Sequence, residues 1–313
     1  MMRLQLLRSI SLALSLAVCI GSAPAQDFSP VAIKDSMGEV VIDKMPQRVA
    51  ALDMNELDFL DQLGVSVAGT AKDYVPHFLS KYRNDASVAD LGFIVKPNIE
   101  KIYALRPDLI LITSLQAAQY AEMIKIAPVV HFDVDYRDSH ANHLDIVKTH
   151  FRTLARIFDK EDIANSKIEA LDAKLAEVQA ATKGRPERLL ILMHNKGAFS
   201  AFSKRSRYGF VFDALGAKIA NDNTDSGLHG QPVTSEFIQS VNPDIIFVID
   251  RTAVMERRAV LNVESMEDPL LRETIAWKNK RVYLVDPEAW YVTAASITPL
   301  TIIMDEVINA YKR

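Results

Sequence analysis

Short apolar runs alternate with amphipathic stretches along this chain, and glycine or proline turns separate them, the pattern of an α/β protein. Residues 49–52 read as a strand, followed by an amphipathic helix through Leu57, Leu60 and Leu63, with further strands at 109–112 and 129–132. A second set opens with a strand at 188–193 and a helix near 210–215, and continues with strands at 245–249 and 282–285. Between the two sets, Ala164, Ile168, Leu171, Leu175 and Val178 fall on one stripe at helical spacing. Asp159, Glu161 and Asp162 suit the positive end of that helix, and Gly184 and Pro186 punctuate its close. The spacing predicts one long helix over 159–183.

The two sets share a repeat. Asn98-Ile99-Glu100 leads through Ile102 to Arg106-Pro107-Asp108 and an apolar run. Thr234-Ser235-Glu236 leads through Ile238 to Asn242-Pro243-Asp244 and another, at the same offsets. Each copy reads as a capped short helix, a proline stop and a buried strand. Asp61-Gln62-Leu63-Gly64 and Asp213-Ala214-Leu215-Gly216 form a second, weaker pair of equivalent helix ends. Two similar α/β lobes follow, 26–158 and 184–313, joined by a rigid single-helix spine, with a ligand cleft expected between them.

Residues 1–25 stand outside that fold. Arg3 and Arg8 form a basic region, residues 10–20 are largely apolar, and Ala23-Pro24-Ala25 fits signal cleavage before Gln26. The apolar stretch is short for a membrane span, so export is expected. Cys19 leaves a lipoprotein reading open, but the bulky Val18 before it favours free release. Cys19 is also the chain's one cysteine, so disulfides, thiolate catalysis and cysteine-bound metals are excluded after cleavage.

The formal net charge is −4 and becomes more negative once Arg3 and Arg8 leave with the leader. That balance argues against nucleic acid as a partner. Any anionic ligand must find a local pocket of arginines. No His-Glu-x-x-His, Gly-x-Ser-x-Gly or Gly-x-Gly motif is present, so no enzyme is expected. His140, His143 and His150 share one helical stripe if Ser139 caps that helix, and with His131 or an aspartate they could carry zinc. Leu144, Val147, Phe151 and Leu154 already define the buried face, which leaves the histidines on its flank as the minor metal reading.

The second half carries a further set: Ser200-Ala201-Phe202, Ser206-Arg207-Tyr208-Gly209, His229-Gly230, Asp250-Arg251, and Asp286-Pro287-Glu288 with Trp290-Tyr291. From about Val41 to the C-terminus the chain resembles the periplasmic iron-siderophore-binding proteins of ABC importers. Their cluster A, helical-backbone (class III) architecture is shared with the vitamin B12 binders, and the motifs look most like the catecholate binders. The resemblance implies a ferric siderophore as transported ligand, no intrinsic cofactor, a monomer, and only modest closure about the spine. It further implies that His229 and Tyr291 complete an octahedron around Fe(III) when a tetradentate siderophore supplies four donors. Arg207 and Arg251, with Tyr208 and Trp290 beside them, would bind the complex, and Glu100 and Glu236 would dock arginines of the membrane permease.

One departure stands out, for Leu115 occupies the place where such proteins commonly carry a first-lobe arginine. Lys72 or Lys96 could substitute. Haem or a cobalamin-like corrinoid is the alternative ligand for the same fold. Taken singly, these residues have plainer readings. His229 would be a loop histidine and Tyr291 core packing, the arginines ordinary ion pairs, and the glutamates first-turn helix acids.

Overall fold

A computed structural model of the chain describes residues 28–135, 141–222, 230–259, 261–266 and 268–312. The first lobe is built on a parallel sheet in the order Ala89–Asp90, Gly69–Thr70, Val49–Ala51, Leu109–Ile112, Val129–His131. The second sheet runs Gln231–Val233, Ala198–Phe202, Arg188–Asn195, Ile245–Asp250, Val282–Val285. Its inner pairs are parallel, and the hairpin that adds Ala198–Phe202 makes one edge antiparallel. Leu109–Ile112 and Ile245–Asp250 are buried at every position, which is why they read as unbroken apolar runs and not as alternation. A hairpin, Val31–Asp35 with Gly38–Ile42, precedes the first sheet, and Asp35 accepts a bond from the His131 backbone N–H at 2.9 Å.

The repeat is realised atom by atom. Asn98 and Thr234 cap the helices Ile99–Leu105 and Ser235–Val241, which end on Arg106 and Asn242, both left-handed with φ 48° and 45°. Asp108 then accepts from the backbone N–H groups of Gln47 and Arg48, each at 2.8 Å, and Asp244 accepts from that of Arg188 at 2.8 Å. Arg48 and Arg188 reach back to the open carbonyls at the helix ends, Arg48 to Leu105 and Arg188 to Val241 and Asn242. Each Pro-Asp turn is therefore a clip that holds a short helix and its strand to the strand beside it. Neither arginine belongs to the repeat as a sequence pattern, because both lie far from it along the chain.

The predicted spine is the helix Glu161–Thr182, with Ala164, Ile168, Leu171 and Val178 buried. Asp159, at φ 52°, separates it from the preceding helix His143–Ile157. At its far end the Thr182 hydroxyl donates to the Leu215 carbonyl at 2.8 Å, beside Gly216. A Cβ on that glycine would meet Thr182 at 2.9 Å, and its φ of 80° adds strain for any other residue.

The spine does not join the lobes alone. The closing helix Ile297–Tyr311, expected to belong wholly to the second lobe, packs along the spine and also touches the first-lobe helix Met54–Leu63. There Asp58 accepts from the Thr298 N–H at 2.9 Å, and Gln62 donates to the Thr298 hydroxyl at 3.0 Å. Asn55 accepts from the Ala295 N–H at 3.0 Å. One apolar cluster runs from Phe59 and Phe151 through Ile168 and Leu171 to Phe210 and Trp290. Closure about such a joint is limited by packing, since sliding one lobe would break a continuous core.

Candidate functional site

A cleft of ≈ 380 Å³ lies between the lobes, within the usual size of small-molecule sites. Its lining comes largely from segments that follow strand carboxyl ends in both sheets: Asp53 and Glu56, Thr113 to Leu115, Phe132 to Val134, Arg251, and Tyr291.

The second-lobe wall is basic and aromatic. Arg207 is nearly buried and donates to the Tyr291 carbonyl at 2.9 Å, its guanidinium 5.5 Å from the Tyr291 ring centre. Arg251 donates through Nε to the Tyr291 hydroxyl at 2.7 Å and through Nη1 to Asn195 at 2.9 Å. Its own guanidinium lies 5.3 Å from the same ring. Two cations thus flank one phenol on the cleft surface.

Backbone geometry explains why Tyr291 and not Trp290 faces the cleft. Residues Glu288–Thr293 form a turn of π-helix, a form frequent at functional sites. Asp286 starts it by accepting from the Glu288 and Ala289 N–H groups, each at 3.0 Å. Trp290 is fully buried and donates its indole N–H to Glu306 at 2.6 Å. Tyr208, also fully buried, donates its hydroxyl to the Trp290 carbonyl at 3.1 Å. Ala294, in the left-handed region at φ 69°, ends the turn, and the His143 ring donates from Nε2 to its carbonyl at 2.8 Å. The turn is thereby held from three sides, with the Tyr291 ring on the open one.

The first-lobe wall is acidic below and apolar above. Asp53 caps the helix Met54–Leu63, taking the Asn55 N–H at 2.9 Å and its amide at 2.8 Å, while the Thr113 hydroxyl donates at 3.3 Å. Burial pushes the Asp53 carboxyl above its ordinary range. Burial, reinforced by the charge of Asp53, pushes the Glu56 carboxyl well above it. His150 stacks on Phe132 with ring centres 4.6 Å apart, and burial lowers it to about 4, so its ring is neutral. Val95, Leu115, Val254 and Met255 add an apolar part to the cleft lining. Val95, Leu115 and Met255 are exposed apolar side chains.

Of the residues singled out in the sequence, Arg207, Arg251 and Tyr291 come together in the cleft. His229 lies outside the described residues. Tyr208 and Trp290 do not line the cleft; both are sealed behind Tyr291, where their polar atoms fix the π turn. Leu115 does line it, but neither Lys72 nor Lys96 replaces the missing arginine, and Lys72 is engaged with the Asp85 carbonyl at 2.7 Å. Glu100 and Glu236 are both exposed, each in the first turn of a repeat helix.

The histidine stripe is corrected. Its helix begins at His143, and Ser139 and His140 lie outside the described residues. His143 is not on a flank but buried, stacked on Phe210 at 4.3 Å, and burial lowers it to about 4. The interlobe joint covers the side of the helix that spacing alone leaves on the flank of its buried face. Among the described residues no group of three or more His, Cys, Asp or Glu is placed to hold a metal ion.

Sequence reasoning missed Asp53 and Glu56, and offered His150 only as a zinc ligand and not as part of the cleft lining. The available signal was Asp53 directly after a strand with Glu56 three residues on, a helix-start pattern. That pattern ordinarily marks a solvated helix end, whereas here both carboxyls are buried.

A sequence model of the periplasmic binding protein family matches residues 49–289. The chain is 56% identical over 284 residues to the ferric-anguibactin-binding protein FatB of Vibrio anguillarum, covering 91% of this chain and 88% of that one. It is 35% identical over 275 residues to the petrobactin-binding protein YclQ of Bacillus subtilis, covering 87% and 84%. Among solved structures, the siderophore-binding protein BauB, bound to a complex between two molecules of acinetobactin and ferric iron, matches with a TM-score of 0.87. That match has 55% identity and covers 90% of this chain and 99% of the other.

Proposed function

This chain belongs to the periplasmic binding protein family, and on that premise we propose that it captures a ferric siderophore between its lobes and delivers it to the permease of an ABC importer. The observation that carries the reading is the Tyr291 hydroxyl, on the cleft wall with Arg251 at 2.7 Å and Arg207 against the same ring. Fe(III) is a hard ion that favours anionic oxygen, and a phenolate supplies it. The two guanidiniums provide positive charge where an iron-bound phenolate and an anionic chelate carry negative charge. The siderophores that FatB, YclQ and BauB bind support the same ligand class.

In finer detail, Tyr291 and His229 are the two protein donors that complete an iron shell begun by a tetradentate, catecholate-type siderophore. Arg207 and Arg251 bind the chelate, while Tyr208 and Trp290 serve by holding Tyr291 in place. Glu100 and Glu236, one per lobe at equivalent positions, dock the permease. The leader is cleaved between Ala25 and Gln26, and the protein works in the periplasm as a free monomer, not anchored at Cys19. The ligand is released unchanged.

A fluorescence titration of the mature chain with the Fe(III) complex of a linear bis-catecholate chelator tests the class. Trp290 adjoins Tyr291, so sub-micromolar quenching is expected. Absence of quenching up to high micromolar complex would defeat the ferric-siderophore reading.

A further inference from the structure

The second-lobe wall accounts for the anionic part of a ferric siderophore, but it leaves the acidic floor opposite without a role. Glu56 is 1% exposed, lines the cleft, and its Oε2 has no hydrogen-bond partner among the described residues. A buried carboxyl oxygen in that state is costly unless something supplies a donor. Its neighbours are otherwise engaged. One Asp53 oxygen is taken up by Asn55 and the other by the Thr113 hydroxyl. Asn55 points its own carbonyl at the Ala295 N–H. Asp133 adds a further acid to the cleft lining, and the neutral His150 ring is stacked on Phe132. Among the described residues no cation pairs with Asp53, Glu56 or Asp133, because the cations of this cleft, Arg207 and Arg251, are committed to Tyr291 and Asn195.

Resting on the ferric-siderophore reading above, we infer that the Asp53–Glu56 floor is a subsite for a nitrogen-borne hydrogen-bond donor on the siderophore, a protonated amine or a ring N–H. The ligand class is thereby narrowed to chelators that are anionic at the iron and donate N–H at the other side. Geometry favours this division. A floor with an open acceptor and no cation rejects a second carboxylate or catecholate oxygen, since like charges and unpaired acceptors would meet in a desolvated corner. Burial and the neighbouring Asp53 charge both raise the Glu56 carboxyl, so the pair resists carrying two negative charges, and Oε2 stands without a donor. An apolar Leu115, standing where an arginine would strengthen the pull on anions, fits the same ligand: less anionic overall, with a carbon framework passing between the lips.

Two Fe(III) complexes test the inference, made from bis-catecholamide chelators of equal span. One has a plain methylene linker and the other a secondary amine in the linker, protonated at neutral pH. Fluorescence quenching of the wild-type protein should give at least ~10-fold tighter binding of the amine complex, the scale on which a buried acceptor discriminates for its donor. In Glu56→Leu, which removes the acceptor, with folding checked by its thermal melt, that ratio should fall to within ~2-fold. Equal affinity of the two complexes for wild type overturns the inference without any variant, and so does a preference that persists in Glu56→Leu. If wild type binds neither complex, the ferric-siderophore reading itself fails and the subsite falls with it.

Discussion

The two repeats match one another while the two cleft walls differ. Asn98 and Thr234, Arg106 and Asn242, Asp108 and Asp244, Arg48 and Arg188 make the same clip twice, down to the carbonyls the arginines reach. Yet at the strand ends those clips position, one lobe presents Asp53, Glu56 and Leu115, and the other presents Arg207, Arg251 and Tyr291. The clip fixes where strand ends lie, which any cleft of this shape requires. What the ends carry is free to differ. An acidic, partly apolar wall facing a basic, aromatic one can read the two sides of an unsymmetrical ligand, which two like walls could not.

The difference between the walls reaches stability first. Behind the second wall, burial raises Glu306 to about 7, so its contribution is fully present below the ordinary 4.5 and is lost as pH rises through about 7. On the first-lobe side, burial lowers His143 and His150 to about 4, so theirs is present above 6.5 and lost as pH falls through about 4. Each of these groups contributes at most about 3.5 kcal/mol, since a tenfold change in proton affinity corresponds to about 1.4 kcal/mol. Urea unfolding from pH 4 to 8 should give Glu306→Gln a flatter high-pH limb and His150→Phe a flatter low-pH limb. Identical pH profiles in the variants would show that the walls do not differ in this way.

Ligand affinity should respond to the second wall next. Arg251→Ala removes the donor to the Tyr291 hydroxyl and one cation, and ~10- to 30-fold weaker binding of a ferric bis-catecholate is expected for loss of a charged hydrogen bond. Leu115→Arg should move affinity for the same anionic complex the other way by about 3-fold, a partly exposed charge being screened. A loss with Leu115→Arg would mean that the first wall needs its apolar lip for any ferric ligand.

The smallest effects belong to the parts that are alike. Glu100→Ala and Glu236→Ala should each slow transport through the reconstituted permease by only ~3-fold at low salt, fading at high salt, because exposed charges steer encounter more than they hold a complex. A tenfold difference between the two variants would break the equivalence of the lobes at the docking face.

Much of this scaffold is legible in the sequence because its central strands are buried on both faces and its two repeat helices carry side-chain caps, signals that are local. The spine stripe is legible for the same reason. The hairpin Val31–Asp35 with Gly38–Ile42 is not, since its strands are half exposed and its attachment runs through Asp35 to His131, distant in sequence. At the site, the pairing of Arg251 with Tyr291 follows only from resemblance. Trp290 and Tyr291 are adjacent aromatics, and sequence gives no reason for one to point inward; the π turn and the Glu306 bond decide it. Glu56 has the look of a solvated first-turn acid, and His143 of a histidine on the flank of its helix. Local pattern misreads both, because it does not describe the tertiary packing that buries Glu56 or the second-lobe Phe210 and Ala294 that cover His143.

The central claim is that Tyr291 enters the iron shell. It is tested most directly by recording the visible charge-transfer band of a ferric bis-catecholate as wild type and Tyr291→Phe are added in parallel. Wild type should shift the band as a phenolate joins the iron, while Tyr291→Phe, folded by its melt, should leave it unshifted and bind at least ~100-fold more weakly. The same band shift and the same affinity in both proteins would contradict the account.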